Sequence, residues 1–154
     1  AQSLGGASCV FHAMDEGDVI NIMKHPQTMI ASDGRLVKFG DGHPHPRWYG
    51  TFPRVLGKYV RQEGVLSLEE ALYKMTAFPA QMMGLNDRGR IVEGMKADLT
   101  IFNPKTIIDL ATFENPHQFS KGIEYVLVNG KLAVDETIFM PIKSGEVLKK
   151  SNGS

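Results

Sequence analysis

"ASCVFHAMDEGDVINIMKHPQTMIASDG", residues 7–34, holds two short apolar runs on either side of a segment with helical spacing. The first run, "ASCVFHAM", reads as a strand. In "DEGDVINIMKHP" the residues Val19, Ile20 and Met23 recur at helical spacing, with Asp15 as the N-cap and Pro26 as the stop. "TMIASDG" then reads as a second strand, broken by Gly34. Strand, helix and strand joined by short connections form the unit of a parallel sheet, whose loops at the carboxyl ends of strands carry chemistry. The expected fold class is therefore α/β, with Asp33 at such an end.

Toward the C-terminus the pattern becomes helical. In "WYGTFPRVLGKYVRQEG" the residues Phe52, Val55, Leu56, Tyr59 and Val60 fall on one face. In "SLEEALYKMTAFPAQMMGL", Ser67 and Glu70 have the spacing of a capping box, and Leu68, Ala71, Leu72 and Met75 form a stripe expected to be buried. Pro79 either opens a second short helix or kinks the first, and Met82 and Met83 are expected to fill the core. From Gly84 the period turns strand-like: "ADLTIF" is one strand, and "IEYVLVNGKLAVDE" is a hairpin around Asn129-Gly130. These strands are too few to close a sandwich, so partners are expected from sequence beyond this chain. Toward the N-terminus the chain starts Ala1-Gln2-Ser3, without methionine, and runs almost at once into its first strand. A cut through a larger domain, or a processed terminus, is the expectation.

At 154 residues, 42% hydrophobic and 22% charged, the chain suits one globular domain or parts of two. Basic and acidic residues balance at 17 each, with no long basic block, which argues against nucleic acid as a partner. No apolar run approaches the roughly 20 residues that span a bilayer, so no membrane partner is expected. The single Cys9 cannot form an internal disulfide and suits a reducing, cytoplasmic setting.

Asp33 is the first candidate for chemistry. A carboxylate at a strand's carboxyl end can ligate a metal or act as a general base, although Asp-Gly is also a common turn pair. His43 and His45 are two apart and, if extended, share a face as in a two-histidine zinc site. Further ligands would have to come from Asp33, Asp41, His12, His25 or His117, and the flanking Pro44 and Pro46 suggest a stiff loop instead. Arg47 offers a planar fork suited to a carboxylate, or a surface salt bridge. Trp48 and Tyr49 either line a pocket or pack on the following helix. Cys9 and His12 read as core or strand-end residues.

Three stretches carry a resemblance. "MIASDG", "HPRWYGTFPRVLGKYVRQEGVLSLEEALYKMTAFPAQMMGLNDRGRIVEGMKADLTIFNP" and "ATFENPHQFSKGIEYVLVNGKLAVDE" look very much like the C-terminal part of the N-acyl-D-amino-acid deacylases (D-aminoacylases) of the amidohydrolase superfamily. The most specific pieces are Ser32-Asp33-Gly34, His45-Pro46-Arg47 with "GTFPRVLG", and "FENPHQFSKGIEYVLVNG".

The resemblance implies a metal-dependent (β/α)8 TIM barrel plus a small β-sandwich. Residues 1–83 would form the end of the barrel, with "ASCVFHAM" as strand seven and "TMIASDG" as strand eight. Residues 84–154 would belong to the sandwich. It implies zinc as cofactor, Asp33 as catalytic residue and metal ligand, and Arg47, His45 and Ser32 as substrate-binding residues. The other ligands would precede residue 1, and Cys9 would not be among them. The implied reaction is hydrolysis of the linear amide of an N-acyl-D-amino acid, with the missing N-terminal part of the barrel as partner and the isolated chain inactive. Alternatives are a cyclic amidase or dipeptidase of the same superfamily, or a non-catalytic binding module.

Overall fold

A computed structural model describes residues 13–149. Helices occupy the first part, and a four-stranded antiparallel sheet follows. The expected first strand, "ASCVFHAM", falls almost wholly outside the described residues. Helix α1 spans Glu16–Lys24, with the Asp15 carboxylate accepting from the Gly17 amide at 2.8 Å as its N-cap. Met23 is buried, and Val19 and Ile20 pack beside it.

The second expected strand, "TMIASDG", is not one. Residues 28–38 belong to no sheet among the described residues. An apolar run becomes a strand only where another strand completes its ladder, and none of the described residues supplies one here. The Ile30 amide instead donates to the Lys74 carbonyl, 3.1 Å.

Helix α2, Arg47–Arg54, passes directly into a π-helix, Val55–Gln62. The widening follows Pro53, which lacks the N–H that would bond four residues back. Val55, Leu56 and Tyr59 are buried as their spacing predicts, whereas Phe52 is 40% exposed. Gly50 and Gly57, two turns apart, form a notch for the segment 107–109. A Cβ on Gly50 would lie 2.6 Å from the Asp109 Cβ, and one on Gly57 would lie 2.6 Å from the Ile107 carbonyl oxygen. Arg61 donates across this contact to the Ile107 carbonyl, 2.5 Å.

Helix α3, Leu68–Met75, starts with the expected capping box: Ser67 Oγ accepts from the Glu70 amide at 3.1 Å, and the Glu70 carboxylate accepts from the Ser67 amide at 2.9 Å. Ala71 is fully buried, with Leu68, Leu72 and Met75 packed around the core. The chain breaks at Thr76 (φ −129°, ψ −81°), so Pro79 lies in a separate helix, α4, Ala77–Met83. Met82 and Met83 are exposed, at 62% and 65%, and do not fill the core. Ala80 is the buried residue of that helix.

Strands β1 (Leu99–Phe102), β2 (Ile123–Val128), β3 (Lys131–Asp135) and β4 (Ile138–Phe139) form a meander in sequence order. The β2–β3 turn is the expected Asn129-Gly130 pair, both at positive φ (48° and 77°), as a primed hairpin turn requires. One buried cluster, including Met23, Tyr59, Leu66, Ala71 and Ile107, joins the two parts, because Phe102 and Ile123 pack against it. Arg88, only 8% exposed, ties the turn before β1 to the C-terminal segment through Asp98 and Glu146.

Candidate active site

The approach to Asp33 is held by helices rather than by a ladder. Lys74 is 5% exposed, and its ammonium donates to the carbonyls of His25 (2.5 Å) and Thr28 (3.0 Å). Thr28 Oγ1 donates to the Ile22 carbonyl, which closes the end of α1. A lysine buried this deeply is tolerable because carbonyl oxygens replace its water shell.

Beyond this turn the four site residues proposed from sequence come together. Asp33 Oδ2 accepts from Arg47 Nη2 at 2.5 Å, and the Asp33 carbonyl accepts from Arg47 Nε at 3.2 Å. Ser32 Oγ accepts from the Gly34 amide at 2.9 Å and points toward the Arg47 carbonyl, 3.5 Å away. His45 Nδ1 accepts from the Arg47 amide, 3.1 Å. Pro46 has helical φ and ψ and precedes Arg47, so the arginine is the first residue of α2. The Asp33 side chain is 83% exposed and that of Arg47 44%, so both charges face solvent. An ion pair in that setting contributes only about 0–1 kcal/mol to stability and opens readily.

His43 and His45 do not form a metal pair. His43 Nε2 lies 2.5 Å from the Phe113 carbonyl, while the His45 ring meets the Phe113 ring edge-on at 5.0 Å between centroids. His25 Nδ1 accepts from the Gln27 amide. Among the described residues no three His, Cys, Asp or Glu side chains converge as a metal site. Asp33 alone is one exposed carboxylate, a donor type a metal accepts, and the described residues supply no further ligands beside it.

A cleft of about 640 Å³ adjoins the cluster. Its walls include Ile22, Ile30, His45, Arg47, Val55 and Phe113, and Ser32 and Asp33 are not among its lining residues. Arg54 bridges to Asp109 at 3.1 Å in the same wall. Glu114 lines the cleft as well. Its own backbone N–H, and then the Thr112 side chain, hold its carboxyl below the usual range.

The segment 112–120 closes against the site loop and has no assigned part in the sequence reading. His117 contacts Tyr49 and the turn at 40–42. "FENPHQFSKG" stood out as a specific motif, but its contacts span some 70 residues and no local pattern reports them.

Residues 2–134 match the amidohydrolase family. The chain is 48% identical over 130 residues to the N-acyl-D-glutamate deacylase of Alcaligenes xylosoxydans xylosoxydans, covering 84% of this chain and 26% of the relative. The crystal structure of D-aminoacylase superposes with a TM-score of 0.80 at 45% identity, over 86% of this chain and 27% of that one. The N-acyl-D-glutamate deacylase of Bordetella bronchiseptica, solved with zinc and a phosphonate mimic of the tetrahedral intermediate, gives 0.72 at 45% identity, over 78% and 25%. The chain thus spans about a quarter of the length of these relatives. No helix among the described residues is long and apolar enough to cross a membrane. With the family match running through both the helical part and the sheet, the chain belongs to the amidohydrolase family, and its relatives there include N-acyl-D-amino-acid deacylases.

Proposed function

We propose that the protein carrying this chain is a zinc-dependent deacylase that hydrolyses the linear amide of N-acyl-D-amino acids to a carboxylate and a free D-amino acid. Residues 1–83 would complete a (β/α)8 barrel with further polypeptide, and residues 84–154 would contribute strands to a small β-sandwich. The observation that carries this reading is the contact of Asp33, on a loop, with Arg47, at the start of α2: a carboxylate suited to accept a proton beside a guanidinium suited to hold a carboxylate. The names and bound groups of the relatives supply the substrate class and the metal.

Zinc, when bound, supplies Lewis acidity toward water and the scissile carbonyl. Asp33 would be the ligand this chain contributes, and the remaining ligands would come from polypeptide outside residues 13–149. As general base, Asp33 takes a proton from the attacking water and returns it to the leaving amine nitrogen. Arg47 presents two parallel N–H groups to the substrate carboxylate, and His45 accepts from the Arg47 amide to orient its turn. Ser32 braces the turn at Gly34, next to Asp33. Opening the exposed Asp33–Arg47 pair frees both groups for these tasks at small energetic cost. The single cysteine accords with a cytoplasmic setting.

The test uses the full-length protein with zinc, assayed on N-acetyl-D-amino acids and their L forms. Cleavage of the D forms alone is expected, and Asp33→Asn should lower kcat by about 10²–10⁴-fold. Equal cleavage of both enantiomers, or an unimpaired Asp33→Asn variant, would overturn the proposal.

A further inference from the structure

Arg47 is useful only if α2 begins in the right place, and that helix has a weak point. Pro53 has no N–H to give to the Tyr49 carbonyl four residues back. The Ser120 hydroxyl donates to that carbonyl instead, 3.1 Å.

His117 reaches the same turn of helix from the 112–120 segment. The Gly40 amide, which can only donate, lies 3.2 Å from Nδ1, so Nδ1 is the acceptor and the ring hydrogen is on Nε2. The Tyr49 hydroxyl donates to the same Nδ1 at 2.9 Å, and Nε2–H donates to the Gly42 carbonyl at 3.2 Å. One ring therefore bridges the turn at 40–42 and the first turn of α2, which are the two ends of the arc holding His43, His45 and Arg47. Phe39 and Phe119 stack beside it, with centroids 5.0 Å apart and planes 21° apart. None of these four aromatic side chains belongs to the buried core, and Phe39 and Phe119 are more than half exposed. The cluster clips a surface loop outside the buried core.

We propose that His117, acting through Tyr49 and the 40–42 turn, is a positioning residue that aims Arg47 at the substrate carboxylate. The inference rests on the deacylase reading above. It predicts a defect confined to carboxylate recognition, which a purely structural histidine would not show.

The experiment compares His117→Ala, His117→Asn and Tyr49→Phe in the full-length, zinc-loaded protein. Each is assayed on an N-acetyl-D-amino acid and on the same compound with its carboxylate converted to the primary amide. For the acid, KM should rise about tenfold in His117→Ala and about threefold in Tyr49→Phe, with kcat within a factor of about two. His117→Asn, which keeps an acceptor close to the Nδ1 position, should recover part of the KM. Hydrolysis of the neutral amide and the bound zinc content should match the parent. Tyr49→Phe loses one hydroxyl, so it keeps the test decisive if His117→Ala fails to fold. Equal losses on both substrates, or an unchanged KM for the acid, would overturn the role of His117 alone. A parent protein that spares N-acyl-D-amino acids, or does not prefer the acid to its amide, would remove the deacylase reading and this inference with it.

Discussion

The four-stranded sheet and the segment 28–46 are both built from extended or irregular chain, yet they are held in opposite ways. In the sheet, each strand pairs with the next in sequence, and the Asn129-Gly130 turn sets the register of β2 and β3. Segment 28–46 has no ladder among the described residues and depends on side chains from elsewhere: Lys74 at its start, Arg47 at Asp33, and Phe113 and His117 along its outer edge. Neighbour-to-neighbour pairing gives a part that is rigid by itself. Long-range side-chain bonds give a part whose geometry depends on single distant contacts.

Three changes would break or sharpen this contrast. The largest effect is expected at Gly122, where the sheet meets the core. Its φ is +87°, and an added Cβ would lie 2.6 Å from the Ile107 nitrogen, a backbone atom that cannot yield as a side chain would. Gly122→Ala should destabilise the protein by about 3 kcal/mol, combining left-handed strain with overpacking. Thermal unfolding checks this, and a variant melting with the parent would show that the sheet and core are not coupled at that point.

Lys74→Met should have a more selective effect. It removes the ammonium from the Thr28 carbonyl, while the His25 carbonyl keeps the Thr28 amide and hydroxyl as donors, at a cost of about 1–3 kcal/mol, and it touches nothing in the sheet. Hydrogen exchange at the Ile30 amide should accelerate while that of the β2 amides stays at the parental rate. Equal acceleration in both places would mean that the two regions open as one unit, against the comparison drawn here.

The smallest effect is expected at Glu16, which ties α1 to the π-helix. Its carboxylate accepts from Lys58 Nζ at 2.5 Å and from the Tyr59 hydroxyl at 2.8 Å. The Lys58 bond first, and then that of Tyr59, hold the Glu16 pKa below the usual glutamate value. A lowered folded-state pKa means that the stabilisation is complete above the unfolded-state pKa and is lost as pH falls through the folded one. Glu16→Gln should therefore lower the stability, read from thermal unfolding, by less than about 1 kcal/mol at neutral pH, because the Glu16 carboxylate is half exposed. The gap should close in acid, and a gap that widened there would contradict the assignment.

Much of the local structure was legible because its determinants are a few residues apart. The Asp15 cap, the Ser67–Glu70 box and the Asn129-Gly130 turn each act over four residues or fewer, and each formed as read. Met82 and Met83 were misjudged for the converse reason: an apolar residue on a short helix says nothing about which face will be covered, and here both are exposed. "TMIASDG" was read as a strand and pairs with nothing among the described residues, since a strand is a relation between two segments. At the site, Ser32, Asp33, His45 and Arg47 were singled out by motif, and the fold brings them into mutual contact. His43 gave a plausible zinc spacing that its contact with Phe113 does not support.

The sequence by itself determined where helices start and stop, where the hairpin turns, and which residue types stand at the site loop, because short-range sterics and hydrogen bonds act within a few residues. Only the tertiary structure decided that Lys74 holds the approach to Asp33 and that His117 and Ser120 brace the turn carrying Arg47. Those bonds join groups some 46 to 71 residues apart. They exist only because core burial around Ile107 and the glycine notch of α2 brings the segments together.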